Sequence, residues 1–238
     1  MIGRFLELSL QVDDILASVE FYERLGFRQL QVGETWTHPY AVLSDGRIHI
    51  GLHRYEFESP ALTFVLPDLA AKVPHLERQG VSFKFRKLGA DEFNEAGLVA
   101  PASQMIALLE ARTYSPSSFE GTDFSLLGRL AEWSVPVHDL DGAVPVWESL
   151  GFRLAGRHDE PHPRALLSGE DIAIGLHERP ALKRPVLCFT CRDLDQTMGY
   201  LLEQGVHLDP ERSPVDGGPG FVLVSPEGLR ILLCPAPA

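Results

Sequence analysis

The chain has 238 residues, 45% of them hydrophobic and 23% charged, enough apolar material for the core of one large or two ordinary domains. Its formal net charge of −12 argues against nucleic acid and against an anionic membrane surface, both of which call for clustered Lys and Arg. No apolar run approaches the roughly 18 residues that a membrane span needs, and Glu7 interrupts the only apolar stretch near the N-terminus, so a soluble cytoplasmic protein without a signal peptide is expected.

In chain order, alternating apolar residues predict strands over Phe5–Val12, Tyr40–Leu43, Ile48–His53, Ala61–Leu66 and Met105–Glu110. Between the first two strands, Asp14 marks a helix start and Gly26 a left-handed stop, with Ile15, Val19 and Tyr22 on one face. The pattern returns after 54 residues with Asp68, Leu69, Val73, Leu76 and Gly80. It returns twice more, as Asp139 to Gly151 and as Asp193 to Gly205. Pro74 and Pro145 each fall six residues after their Asp, so those helices are expected to begin with a loose turn and become regular near the proline.

The two halves are copies of each other. Arg4 to Arg28, closed by Leu25-Gly-Phe-Arg28, recurs from Arg129 at an offset of 125. His38-Pro to Gly-Leu-His53 recurs as His162-Pro to Gly-Leu-His177 at an offset of 124, with ten of sixteen positions identical. Each quarter reads β-α-β-β-β. This gives an α+β chain of four units in two domains, 1–112 and 128–238, with a Ser-, Gly- and Pro-containing linker over 113–127. Cys188 and Cys191 spell C-x-x-C but lie in a predicted strand, where residues three apart point to opposite faces, so neither a redox pair nor a zinc site is expected.

Paired units with Val12-Asp-Asp14, Phe21-Tyr22 and Leu25-Gly-Phe27, then Val137-His-Asp139 and Leu150-Gly-Phe152, and Pro226-Glu-Gly228 before the last strand resemble the vicinal-oxygen-chelate superfamily. That group includes glyoxalase I, extradiol dioxygenases, fosfomycin-resistance enzymes and bleomycin-binding proteins. The resemblance implies cupped sheets with helices outside and a ligand inside. It also implies that metal-using members draw ligands from four inward positions, which here are Glu7, Gly51, Ala61 and Ala107, then Glu132, Gly175, Val186 and Leu232. Only one of each four can coordinate a metal, so no metal and no other cofactor is expected.

Strand alternation leaves a Glu and a His facing each cup: Glu7 with His53, and Glu132 with His177. These four are the candidate ligand-binding residues, and Glu7 and Glu132 the candidate catalytic ones, because a carboxylate on an apolar floor tends toward a raised pKa and can act as a base. Hydrogen-bonded relics of a common ancestor are the alternative. His38 and His162, each followed by Pro, read as surface loop residues, and Trp36 and Tyr40 as cavity wall or packing. The expected function is a metal-free protein that sequesters a small, mostly hydrophobic organic molecule, as a monomer or homodimer. A cofactor-independent isomerase or lyase using Glu7 or Glu132 as base stands as the alternative, with a metal-dependent lyase or dioxygenase behind both.

Overall fold

A computed structural model describes residues 2–31, 38–111, 125–208, 213 and 215–236. Trp36 and most of the expected linker, as far as residue 124, lie outside them. The first sheet is built from β1 (Arg4–Gln11), β2 (Arg28–Gln29), β3 (Tyr40–Ser44), β4 (His49–His53), β5 (Ala61–Leu66), β6 (Phe83–Lys87), β7 (Glu95–Ala100) and β8 (Gln104–Glu110). The second contains β9 (Arg129–Pro136), β10 (Arg153–His158), β11 (Arg164–Ser168), β12 (Ala173–His177), β13 (Val186–Cys191), β14 (Phe221–Val224) and β15 (Arg230–Pro235). Helices α1 (Ile15–Arg24), α2 (Leu69–Arg78), α3 (Leu140–Ser149) and α4 (Leu194–Glu203) follow the first strand of each unit.

The strand orders are β2-β3-β4-β1-β5-β8-β7-β6 and β10-β11-β12-β9-β13-β15-β14. In each sheet the two opening strands meet antiparallel at the centre, while each pairs parallel with the last strand of its own unit. The repeat at 54 residues is thereby a local two-fold axis: Ser9 of β1 pairs Ala61 of β5, and Ser134 of β9 pairs Val186 of β13. The α+β class and the four-unit plan expected from the sequence are present. No helix among the described residues is long and apolar enough to cross a membrane.

The helix signals act as their chemistry dictates, with one exception. Asp14 accepts from Leu16 N and Ala17 N, Asp139 from Gly142 N and Asp193 from Gln196 N. Asp68 instead adopts a left-handed backbone and makes no side-chain cap; Glu110 of β8 accepts from Leu69 N at 2.8 Å in its place. All four stop glycines have φ between 73° and 91°. The loose first turns expected before Pro74 and Pro145 are not found, and α2 and α3 run through both prolines. Each ring is exposed, and the carbonyls that lose a partner belong to the exposed Ala70 and Asp141, where water can replace the lost bond.

The apolar faces of the strands and helices form one core that continues from the first sheet into the second, from Leu8, Ile50 and Phe64 to Trp133, Phe152 and Phe189. Reciprocal backbone bonds knit the halves: Ile2 N donates to Leu150 O, and Leu126 N to Leu25 O, both at 2.9 Å. Glu227, from the Pro-Glu-Gly turn before β15, accepts from Tyr22 Oη at 2.5 Å and from Ser18 Oγ at 2.9 Å. Trp133 Nε1 donates to Gln104 Oε1 across the same boundary.

Candidate active site

The inward strand faces carry the same polar chain in both halves. In the first cup, His53 Nε2 lies 2.7 Å from Glu7 Oε1, and His53 Nδ1 lies 3.0 Å from His38 Nε2. In the second, His177 Nε2 lies 2.7 Å from Glu132 Oε1, and His177 Nδ1 lies 3.0 Å from His162 Nε2. The protons of this chain follow from its end: a carboxylate only accepts, so the inner imidazole donates from Nε2 and accepts at Nδ1 from the outer imidazole's Nε2–H. The result is a Glu–His–His relay from each cup floor toward its rim.

The local sequence explains why the relay sits there. The parallel register of β1 with β4 pairs Ser9 with Gly51 and Gln11 with His53, so Glu7 and His53 rise from neighbouring strands on the same face. The missing side chain at Gly51 gives the carboxylate its room, because a Cβ there would lie 2.1 Å from Glu7 Oε1. Gly175 does the same for Glu132 at 2.2 Å. Glu7 is only 4% exposed, and a charge so buried needs partners. Ser9 Oγ supplies one at 2.7 Å and in turn accepts from Thr63 Oγ1 at 2.6 Å. Ser134 likewise donates to Glu132, and Cys188 of β13 stands where Thr63 does, 3.2 Å from the Ser134 hydroxyl.

His38 and His162 correct the sequence reading, which gave them to the surface. They are the outer members of the two relays, and His162 is 8% exposed. Their signal was in the sequence, since each His-Pro lies 15 residues before its Gly-Leu-His in both copies. Burial and the neighbouring His53 hold His38 below the ordinary histidine pKa; burial first, then His177, Arg179 and Arg164, bring His162 down to about 4. Both outer imidazoles are therefore neutral at pH 7. Glu132 departs from the expectation of a raised carboxyl: burial pushes it up, but the hydrogen bonds from His177 and the Ser134 hydroxyl outweigh burial and hold it low.

Around the relay the cups differ. The first encloses a largely apolar cavity of about 310 Å³, lined by His38, Tyr55, Phe57, Phe85, Met105 and Leu109 above the small Ala61 and Ala107. Tyr55 stacks on His38 with centroids 5.1 Å apart, and Tyr40 lies parallel to His53 at 6.0 Å. In the second cup, Val186, Cys188, Val222 and Leu232 meet Leu182 and Val215 in a buried apolar cluster.

The metal-ligand positions implied by the superfamily can be tested against this arrangement. Ala61 and Ala107 wall the first cavity, and Val186 and Leu232 lie in the second cluster. His53 and His177 spend both ring nitrogens on relay bonds, so the donors run in line rather than converging. No group of three His, Cys, Asp or Glu side chains that could hold a metal ion occurs among the described residues. These donors do not fit the family's centre, and no chemical step is assigned to a metal here. The cysteines are free, with Cys188 and Cys191 on one strand as expected.

Comparison with known proteins agrees with the fold and changes the functional reading. Residues 4–87 match the family model for the Glyoxalase/Bleomycin resistance protein/Dioxygenase superfamily. A crystal structure of catechol 2,3-dioxygenase is similar at 17% identity over 99% of this chain and 90% of that one, with a TM-score of 0.61. A variant of homoprotocatechuate 2,3-dioxygenase from Brevibacterium fuscum is similar at 18% identity, covering 97% and 70% of the two chains, with a TM-score of 0.62. An extradiol ring-cleaving dioxygenase from B. fuscum, solved at room temperature, gives 18%, 97%, 71% and 0.62. No curated protein sequence matches. The chain thus takes the vicinal-oxygen-chelate fold that its repeats resemble, in two tandem copies. The expected metal-free sequestering protein is overturned by the same comparison, because the similar structures are dioxygenases.

Proposed function

We propose that this chain, built on the vicinal-oxygen-chelate fold, is a dioxygenase-like enzyme whose first cup binds a small aromatic molecule bearing a ring hydroxyl and removes its proton through His38, His53 and Glu7. The observation that carries this reading is the relay itself, which includes His38 on the wall of an apolar cavity of about 310 Å³. Tyr55, Phe57 and Phe85 suit a flat ring, which prefers offset or edge-on contact with other rings.

The step is a proton transfer in which the substrate O–H bond breaks and the proton goes to the ring of neutral His38. His38 passes its own Nε2 proton to His53 Nδ1, leaving an imidazolium against the Glu7 carboxylate. A ring oxygen made anionic in this way raises the electron density of the ring, the condition under which hydroxylated rings react with oxygen. The similarity to ring-cleaving dioxygenases supports that class.

Two measurements test the proposal. 4-Nitrocatechol, whose visible band reports its ionisation, should bind to the protein as the anion at a pH where the free compound is neutral, and as the neutral form to His38→Ala. Oxygen uptake with catechol should fall about 10²- to 10⁴-fold in the same variant, the usual worth of a positioned base. A bound probe with the ionisation of the free compound, or turnover indifferent to His38, would remove the relay from the mechanism.

A further inference from the structure

The second cup keeps the relay and replaces what surrounds it. Arg164 opens β11 where Tyr40 opens β3, each paired with the inner histidine of its relay. Arg179 stands two residues after His177, as Tyr55 stands two after His53. Two rings flanking His38 have become two guanidiniums that act electrostatically on His162.

Three buried atoms in this region have no hydrogen-bond partner among the described residues: His162 Nδ1, Arg164 Nε and Arg179 Nε. Buried polar atoms in folded proteins are almost always paired, and three unpaired ones around one relay call for a partner. The chemistry of that partner is set by the three. Two N–H donors on permanent cations ask for anionic oxygens, and Arg is the side chain suited to bind them. His162 Nε2–H is committed to His177, so its Nδ1 carries a lone pair and asks for a donor.

The neighbouring carboxylates each have another donor. Glu132 is engaged by His177 and Ser134, and Glu178 by Leu140 N. Asp216 is the remaining counter-charge, and its carboxylate accepts from Gly218 N at 2.9 Å. The turn carrying Asp216 stands against Arg179, since a Cβ at Gly217 would lie 2.8 Å from Arg179 Nη2, which limits where that guanidinium can go. Both arginines are half-exposed, so an ion from solution can reach their outer edges.

We propose that the rim of the second cup is a binding site for a phosphate-type oxyanion, held by Arg164 and Arg179 and donating a hydroxyl proton to His162 Nδ1. Leu182 and Val215 pack onto the apolar residues of this cup, so the ligand is small and bound at the mouth.

The test follows the arginine Nε–H resonances of the isotope-labelled protein during titration with inorganic phosphate and, separately, sulfate at neutral pH. Two Nε–H signals should move saturably with phosphate, and sulfate, which has no proton to give His162, should bind about tenfold more weakly. Arg164→Gln with Arg179→Gln should abolish the response; Arg164→Tyr with Arg179→Tyr, which restores the first-cup residues, should do the same. Signals unmoved by phosphate, or a response that survives in a folded double variant, would overturn the site. Equal affinity for sulfate and phosphate would overturn the role of His162.

Discussion

The two cups share a relay and differ in what surrounds it. Glu7, His53 and His38 repeat as Glu132, His177 and His162 with relay distances of 2.7 and 3.0 Å in both. Ala61 and Ala107, however, correspond to Val186 and Leu232, and the larger pair belongs to an apolar cluster. A relay alone is therefore not a site. What distinguishes the first cup is the apolar cavity beside the relay, and what distinguishes the second is a buried apolar cluster and two arginines in place of two tyrosines.

Exchanging residues between equivalent positions tests this contrast. Gly51→Ala should displace the Glu7 carboxylate by an ångström or more and lower turnover about a hundredfold, whereas Gly175→Ala, making the same clash with Glu132, should leave turnover at the wild-type level. Equal losses would show that both cups work. Leu232→Ala copies the first cup into the second; Leu232 is fully buried, and its loss should cost about 3 kcal/mol, read as a lower denaturant midpoint. The reverse exchange, Ala107→Leu, should fill the first cavity and raise KM at least about tenfold without loss of stability. If it leaves KM unchanged, the substrate lies elsewhere.

The last test reads the outer histidine of the second relay by pH. The pKa of His162 is lowered from 6.5 to about 4 in the folded protein, so between these values the unfolded chain binds a proton that the folded one refuses. Its contribution to stability is present above about 6.5 and declines as the pH falls toward 4. A chemical-denaturation series across that window should show the decline, and His162→Gln should flatten it.

The fold was legible because it was written four times. Asp14, Gly26 and the apolar steps between them, repeated in each quarter, identify every helix and place its ends. Strand alternation placed Glu7, His53, Glu132 and His177 on the inward faces where they are found. His38 and His162 were misread because a His-Pro pair outside any periodic segment carries no facing information; only the spatial pairing of β3 with β4 and of β11 with β12 brings the segments before them against the inner histidines. The strand β6 escapes the pattern because Phe-Lys-Phe-Arg-Lys lies at a sheet edge, is largely exposed, and offers only Phe83 and Phe85 as an alternating apolar pair. The apolar cluster of the second cup was hidden for a related reason. Leu182 and Val215 come from loops, and a loop residue announces its burial to no periodicity.

The reciprocal bonds from Ile2 to Leu150 and from Leu126 to Leu25 have the form of contacts across a dimer's two-fold axis, but both are made within one chain. In a symmetric dimer of a single-copy protein, every substitution appears twice, and a mutation that closed one cup would close the other. Joining the copies removes that constraint. One copy could acquire leucine where its twin kept alanine, and arginine where its twin kept tyrosine, with the shared core still built from both. The asymmetry of the two cups is a freedom that only a covalently joined pair possesses.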